Sequence, residues 1–169
     1  MAAETEKIPK FEVWKTIKLS GTEFKTGEDF RQDLNRIECQ IDYWTNDILK
    51  KIVFPAVGED IEIDFVRITP VLLGFQDCVS LGRIYDGAQK TGFGLCSVQA
   101  ALQLRIEYQD QLDGDHVLIG MEFIYDSKQN SRFFVVGRDG SGLRLDAYRN
   151  IHSALWEPNI SLAFVLPRK

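Results

Sequence analysis

Two histidines, three cysteines and a scatter of carboxylates are the residues of this chain able to do chemistry. His152 lies between Tyr148 and Trp156, near Asp146, Arg149 and Glu157. An imidazole oriented by a carboxylate makes a general base. Asp146, Glu122 and His152 around a cleft beside Trp156 would therefore suit a small hydrolase. No nucleophile motif accompanies them: there is no Gly-x-Ser-x-Gly elbow, and Cys96 has no activating neighbour in Leu-Cys-Ser-Val. His116, beside Asp115 at the start of a strand, reads as a turn residue.

The other motifs fail on context. Thr91-Gly92-Phe93-Gly94 has no P-loop lysine, and the glycines of 137–142 fall between two strands rather than ahead of a helix. Asp110, Asp113 and Asp115 are spaced like the start of a calcium loop, but the later ligands are missing. Cys39, Cys78 and Cys96 are scattered, with no Cys-x-x-Cys pair and no Cys/His cluster. No metal site and no cofactor are expected, and unpaired thiols fit a reducing, cytoplasmic setting.

The elements that must position these residues come next. At 169 residues, 44% hydrophobic and 27% charged, the chain can bury a core without staples. The net charge of −5 is evenly spread, so no basic arm exists to neutralise a phosphate backbone, and nucleic acid is not an expected partner. No apolar run reaches the ~18 residues a membrane helix needs, and the polar opening MAAETEKIPK lacks a signal peptide's apolar core. Residues 1–9 read as a frayed end and 10–169 as one domain.

KFEVWKTIKLS reads as a strand. Thr26 and Asp29 form a capping-box pattern, behind which Phe30, Leu34, Ile37 and Ile41 recur at helical spacing. A second helix starts at Asp42 and ends near Lys50 and Lys51. Ile61, Ile63 and Phe65 alternate with Glu62 and Asp64, a half-buried strand. Ser80 and Gly92 bracket a third helix. Ser97 starts at most a short helical turn.

From Ala100 to Arg149 four strands are expected: LQLRIEY, HVLIGMEFIY, SRFFVVGR and GLRLDAY. The fold class predicted is α+β, a mostly antiparallel sheet of five to six strands with two or three helices packed on one face. Alternation puts Leu102, Leu104, Ile106, Val117, Ile119, Met121, Leu143 and Leu145 toward those helices. The opposite face then presents Arg105, Glu107, Glu122, Arg144, Asp146 and Tyr148, with Phe134 and Val136 among them. Exposed apolar residues amid charges mark a covering segment or a partner. The C-terminal SLAFVLPRK is a candidate cover, or a fifth strand through Leu162 and Phe164.

Several pieces taken together, VWKTIKLSG, YWTNDILKK, LGFQDCVSLGRIYDGAQKTGFGLCSVQAALQLRIEY and IGMEFIYDS, resemble a widespread group of small bacterial proteins with a Trp-Lys-Thr-Ile-Lys-Leu start and a Leu-Cys core. The resemblance covers about residues 13–165 and implies a bacterial single-domain protein, with no established activity and no catalytic residues. Where those proteins often read Cys-Pro-Ala-Glu, this chain has Cys96-Ser97-Val98-Gln99. Where they often read Asp-Ser-Asp-Gly-Asp, it has Asp126-Ser127-Lys128-Gln129-Asn130, so a metal held by that turn would lose its later carboxylates.

The leading expectation is a non-enzymatic binding or accessory protein. It would act through protein contacts on the outer sheet face and the 149–159 loop, with Arg105, Glu107, Glu122, Arg144, Asp146, Tyr148 and Trp156 as binding residues. The alternatives are the hydrolase of Asp146, Glu122 and His152, and a structural subunit that self-associates through a sheet edge.

Overall fold

The structure is a computed structural model that describes residues 11–23, 25–56 and 58–168. The expected frayed end, 1–9, lies outside the described residues. In chain order the first elements are β1 (Lys15–Leu19), β2 (Lys25–Thr26), α1 (Gly27–Arg36), β3 (Gln40–Ile41), α2 (Tyr43–Leu49), β4 (Val53–Phe54) and β5 (Ile61–Ile68). A 3-10 turn, Pro70–Leu73, leads to β6 (Val79–Ser80), α3 (Leu81–Thr91) and α4 (Val98–Glu107). There follow β7 (His116–Ile119), β8 (Ile124–Tyr125), β9 (Ser131–Asp139), β10 (Gly142–Arg149), β11 (Leu155–Trp156) and β12 (Ser161–Val165).

The caps written into the sequence start the helices where expected. Thr26 accepts from the Asp29 N–H while the Asp29 carboxylate accepts from the Thr26 N–H, and Asp42 accepts from the Thr45 N–H at 2.8 Å. Ser80 opens α3 and Gly92, at φ 100°, closes it in a left-handed conformation that glycine adopts without strain.

The sheet corrects the predicted fold class. It has eight strands in the order β1-β5-β12-β7-β9-β10-β3, with β8 added beside β9, and two small two-stranded sheets, β11-β6 and β2-β4, accompany it. It is mixed, because β12 runs parallel to β7 and β3 parallel to β10. The C-terminal strand is inserted between β5 and β7 at the centre of the sheet, rather than added as a cover. Alternation along a strand reports which side chains share a face, but carries nothing about which strand lies beside which.

LQLRIEY is the largest correction, since it lies in helix α4. Its period-two alternation of Leu102, Leu104 and Ile106 is coincidental. Ala100, Ala101, Leu102, Leu104 and Arg105 are all buried, so α4 meets protein on most sides and shows no one-sided stripe. The Ser97 hydroxyl accepts from the Ala100 N–H at 3.1 Å, and good helix formers follow it. Placing Arg105 and Glu107 on the sheet face is therefore overturned.

Pairing register fixes the two faces. Tyr148, Asp146 and Arg144 stand opposite Phe133, Val135 and Gly137, on the face that also carries Leu118, Leu162 and Val66. Phe134 and Val136 belong to the other face, beside Ala147 and Leu145, so their expected outward placement was one residue out of register. All four residues from Phe133 to Val136 are buried, because both faces of β9 are covered.

Helices lie on both faces, not one. Tyr85 of α3 donates its hydroxyl to the Ile119 and Met121 carbonyls and stacks on Phe123, with its ring edge toward Phe164. On the opposite face α4 reaches the Gly137 and Arg144 carbonyls through Arg105. α1 and α2 pack beside it. At Gly120 the backbone passes under Phe164 so closely that a Cβ would lie 2.2 Å from Cδ1, so glycine is required there.

Both sheet edges are blunted. β1 carries Lys15 and Lys18, and the Lys18 N–H donates to Glu107 Oε2 at 3.2 Å. The outer edge of β10 is closed by β3, by the Thr45 hydroxyl on the Leu145 carbonyl, and by Asp42 accepting from the Ala147 N–H. Among the described residues no helix is long and apolar enough to cross a membrane.

Candidate functional site

The structure disperses most of the polar group expected on the outer face. Arg105 is fully buried in α4. Its Nη1 donates to Gln111 Oε1 at 2.7 Å, to the Gly137 carbonyl at 3.1 Å and to the Arg144 carbonyl at 3.2 Å, while Nη2 donates to the Tyr108 carbonyl. No carboxylate pairs with it among the described residues, and burial pushes its pKa below the usual arginine value. Arg105 is thus an internal staple from α4 to the β9–β10 ladder. Glu107 caps β1 on the far side of the sheet and accepts from Gln103 as well.

Arg144 and Asp146 stay together on β10, but they satisfy one another. Arg144 Nε and Nη2 donate to the two Asp146 oxygens at 3.3 and 3.1 Å, and Nη1 donates to Gln40 Oε1 at 3.0 Å. Glu122 and His152 are exposed, and no hydrogen bond or ion pair links either of them to Asp146. Cys39 and Cys96 offer no nucleophile in their place. Burial pushes Cys96 up to about 12 and Cys39 up to about 11, which keeps both protonated at neutral pH. Cys78 is exposed and free. Among the described residues no group of three or more His, Cys, Asp or Glu side chains is placed to hold a metal ion.

A second polar cluster escaped the sequence reading. Arg67 of β5 donates from Nη2 and Nη1 to the Asp115 oxygens at 2.5 and 3.0 Å, and from Nε to Ser161 Oγ at 3.2 Å. Tyr108 donates its hydroxyl to Asp115, and Trp14 lies under the guanidinium at 5.5 Å. The cluster borders a cleft of about 550 Å³ lined by Val13, Trp14, Arg67 and Leu72. Each guanidinium nitrogen of Arg67 already has an acceptor, so this group pins β5, β12 and the segment after α4 together.

One open surface is apolar. A run of rings crosses the α3 face from Tyr85 to Phe123 to Phe133, and from Phe133 to both Tyr148 and Trp156 at 6.1 and 6.2 Å. That aromatic core reaches solvent at the end of the β8–β9–β10 ladder. Tyr125 stands opposite Ser131 there, and the Asn150 N–H donates to the Ser131 carbonyl at 2.9 Å. β11 pairs with β6, which seats Trp156 against the buried Val79 and leaves Leu155 65% exposed; Ile151 is 51% exposed. Of the expected binding residues, Tyr148 and Trp156 are brought together here. Tyr125, Ile151 and Leu155 were not singled out, although the last two fall within the 149–159 loop.

A cleft of about 490 Å³ opens between α1 and α2, with Leu34, Cys39 and Ile41 as its floor and Gln32, Asn35, Tyr43 and Asn46 among its walls. Its residues carry no motif, because the cleft exists only once two separate helices are packed side by side.

No family model, no curated protein and no solved structure matches this chain.

Proposed function

We propose that this is a non-enzymatic binding or accessory protein that docks a protein partner through the end of the sheet carrying Tyr125, Tyr148, Ile151, Leu155 and Trp156. One observation carries the reading: the aromatic core emerges at that end and leaves Ile151 and Leu155 half or more in water. Burying a Leu or Ile side chain fully is worth about 1.5–3 kcal/mol, so a partner covering both gains substantially. Aromatic residues at such a patch supply area with little rotamer entropy to lose. Arg149, His152 and Glu157, all exposed, belong to the same 149–159 segment and are suited to selecting the partner.

The chemistry of the remaining groups supports a binding role. The Arg67–Asp115, Arg132–Asp126 and Arg144–Asp146 pairs are internally satisfied, and the Cys39 and Cys96 thiols are protonated. The blunted edges favour side-chain docking over strand addition.

A photo-crosslinking amino acid at Leu155 tests the reading in cells. The expected result is one defined heterologous adduct, absent when the crosslinker sits at the exposed Leu112 and lost with Ile151→Glu. Adducts formed equally from both positions would refute it, and an adduct with a second copy of the chain would replace the heterologous partner by self-association.

A further inference from the structure

We infer that the cleft between α1 and α2 is a binding site for a neutral, hydroxyl-rich small molecule of the saccharide class. Its volume, about 490 Å³, lies within the roughly 300–1,000 Å³ usual for small-molecule sites. The inference does not depend on the protein-docking surface, which lies on other elements.

The one cation of the cleft is paired inside the protein, and both of its carboxylates already accept hydrogen bonds. Arg31 donates to both Glu28 oxygens at 2.9 and 3.2 Å and to Asn46 Oδ1 at 3.1 Å. The Asp42 carboxylate accepts from the Thr45 and Ala147 N–H groups. An anion would meet no open counter-charge and a cation would have to displace the N–H donors that hold Asp42, whereas a neutral ligand has partners. The carboxamides of Gln32 and Asn35 make no hydrogen bond among the described residues, and Asn46 keeps its Nδ2 donors. A carboxamide offers donors and an acceptor together, which matches a hydroxyl that also does both.

Tyr43 supplies the apolar half of the recognition. It is 71% exposed, and its ring stands edge-on to Trp44 at 4.9 Å with an interplanar angle of 89°. A rigid ring held upright beside carboxamides is a plate for the C–H face of a pyranose, whose hydroxyls then point toward Gln32, Asn35 and Asn46. Asp42 and Thr45 fasten α2 to β10, and the capping box fixes the start of α1. Both walls are thus set before a ligand arrives, which lowers the cost of binding. An extended peptide, the other neutral ligand rich in donors and acceptors, would want an unpaired strand edge, and at this end β3 occupies the edge of β10.

Saturation-transfer NMR on the full chain with chitobiose, cellobiose and maltose tests the inference, with glucose 6-phosphate and triglycine as comparison probes. At least one neutral disaccharide is expected to bind at or below about 10 mM, with its ring C–H protons receiving saturation. Tyr43→Ala should weaken that binding by about tenfold and Asn35→Ala by about threefold, with no change in melting temperature because both side chains are exposed. No binding by any of the three disaccharides, tighter binding of triglycine or glucose 6-phosphate, or undiminished affinity in Tyr43→Ala would each overturn the inference.

Discussion

Replacing Arg105 by methionine tests whether a buried cation without a carboxylate holds this fold together. Methionine keeps an apolar stem of similar reach and removes the guanidinium. The Gly137, Arg144 and Tyr108 carbonyls and Gln111 Oε1 then lose a donor. A buried polar group left without its partner costs about 1–3 kcal/mol, so three carbonyls at the low end give about 3 kcal/mol. Relief of the desolvation cost of the guanidinium opposes this, and burial does depress the arginine's pKa. The carbonyls win because each lies on a backbone segment that cannot turn toward water. A loss of about 3 kcal/mol should lower the melting temperature by about 6–12 °C in a chain of this size. Urea unfolding of Arg105→Met against wild type measures it, with Arg105→Lys intermediate because one ammonium cannot reach four acceptors. Equal or greater stability of Arg105→Met would refute the reasoning and make the arginine a net burden.

Gly120→Ala should destabilise by about 3 kcal/mol, the upper end for overpacking, because the new methyl meets the buried Phe164 ring at 2.2 Å. Phe164→Leu in the same chain should recover part of that loss, and thermal melts of both variants decide it. Against the opposing effect of burial, the Arg132 side chain and the Asn130 and Lys128 N–H groups hold Asp126 down to about 2. Its folded pKa is below its unfolded value of about 3.9, so the stability it contributes is complete above pH ~4 and lost as pH falls toward 2. Urea midpoints across that window should fall for wild type and flatten for Asp126→Asn, which is already weakened at neutral pH by loss of the 2.6 Å bond from Arg132 Nε.

How much of this was legible depended on whether the signal was local. The capping box at Thr26, the Asp42 cap and the Ser80–Gly92 bracket each rest on neighbours within a few residues, and all three helices start where read, but α1 stops at Arg36 and Ile41, expected on its stripe, pairs with β10 as part of β3. The alternation of Leu143, Leu145 and Ala147 against Arg144, Asp146 and Tyr148 also held. α4 did not read as a helix, because burial around most of its circumference erased the stripe, and only Ser97 and a run of helix formers marked it. With α4 misread, Arg105 and Glu107 were carried onto a face they never reach. HVLIGMEFIY was read as one strand and breaks after Ile119, where Gly120 gives way to Phe164, a residue more than forty positions away. The place of β12 between β5 and β7 depends on partners about 95 and 45 residues away in sequence, and the end of the sheet where Tyr148 and Trp156 both meet Phe133 depends on the pairing of β9 with β10 and of β11 with β6.

Affinity for the partner captured at Leu155 tests the docking account most directly. With Ile151→Glu and Leu155→Glu combined, loss of the burial of about half of each side chain, together about 2–3 kcal/mol, predicts binding at least about 10-fold weaker. The melting temperature should change by no more than a few degrees, because half or more of each side chain is already in water. A change of less than about threefold in affinity, in a variant that folds as well as wild type, would contradict the account and move the docking surface elsewhere.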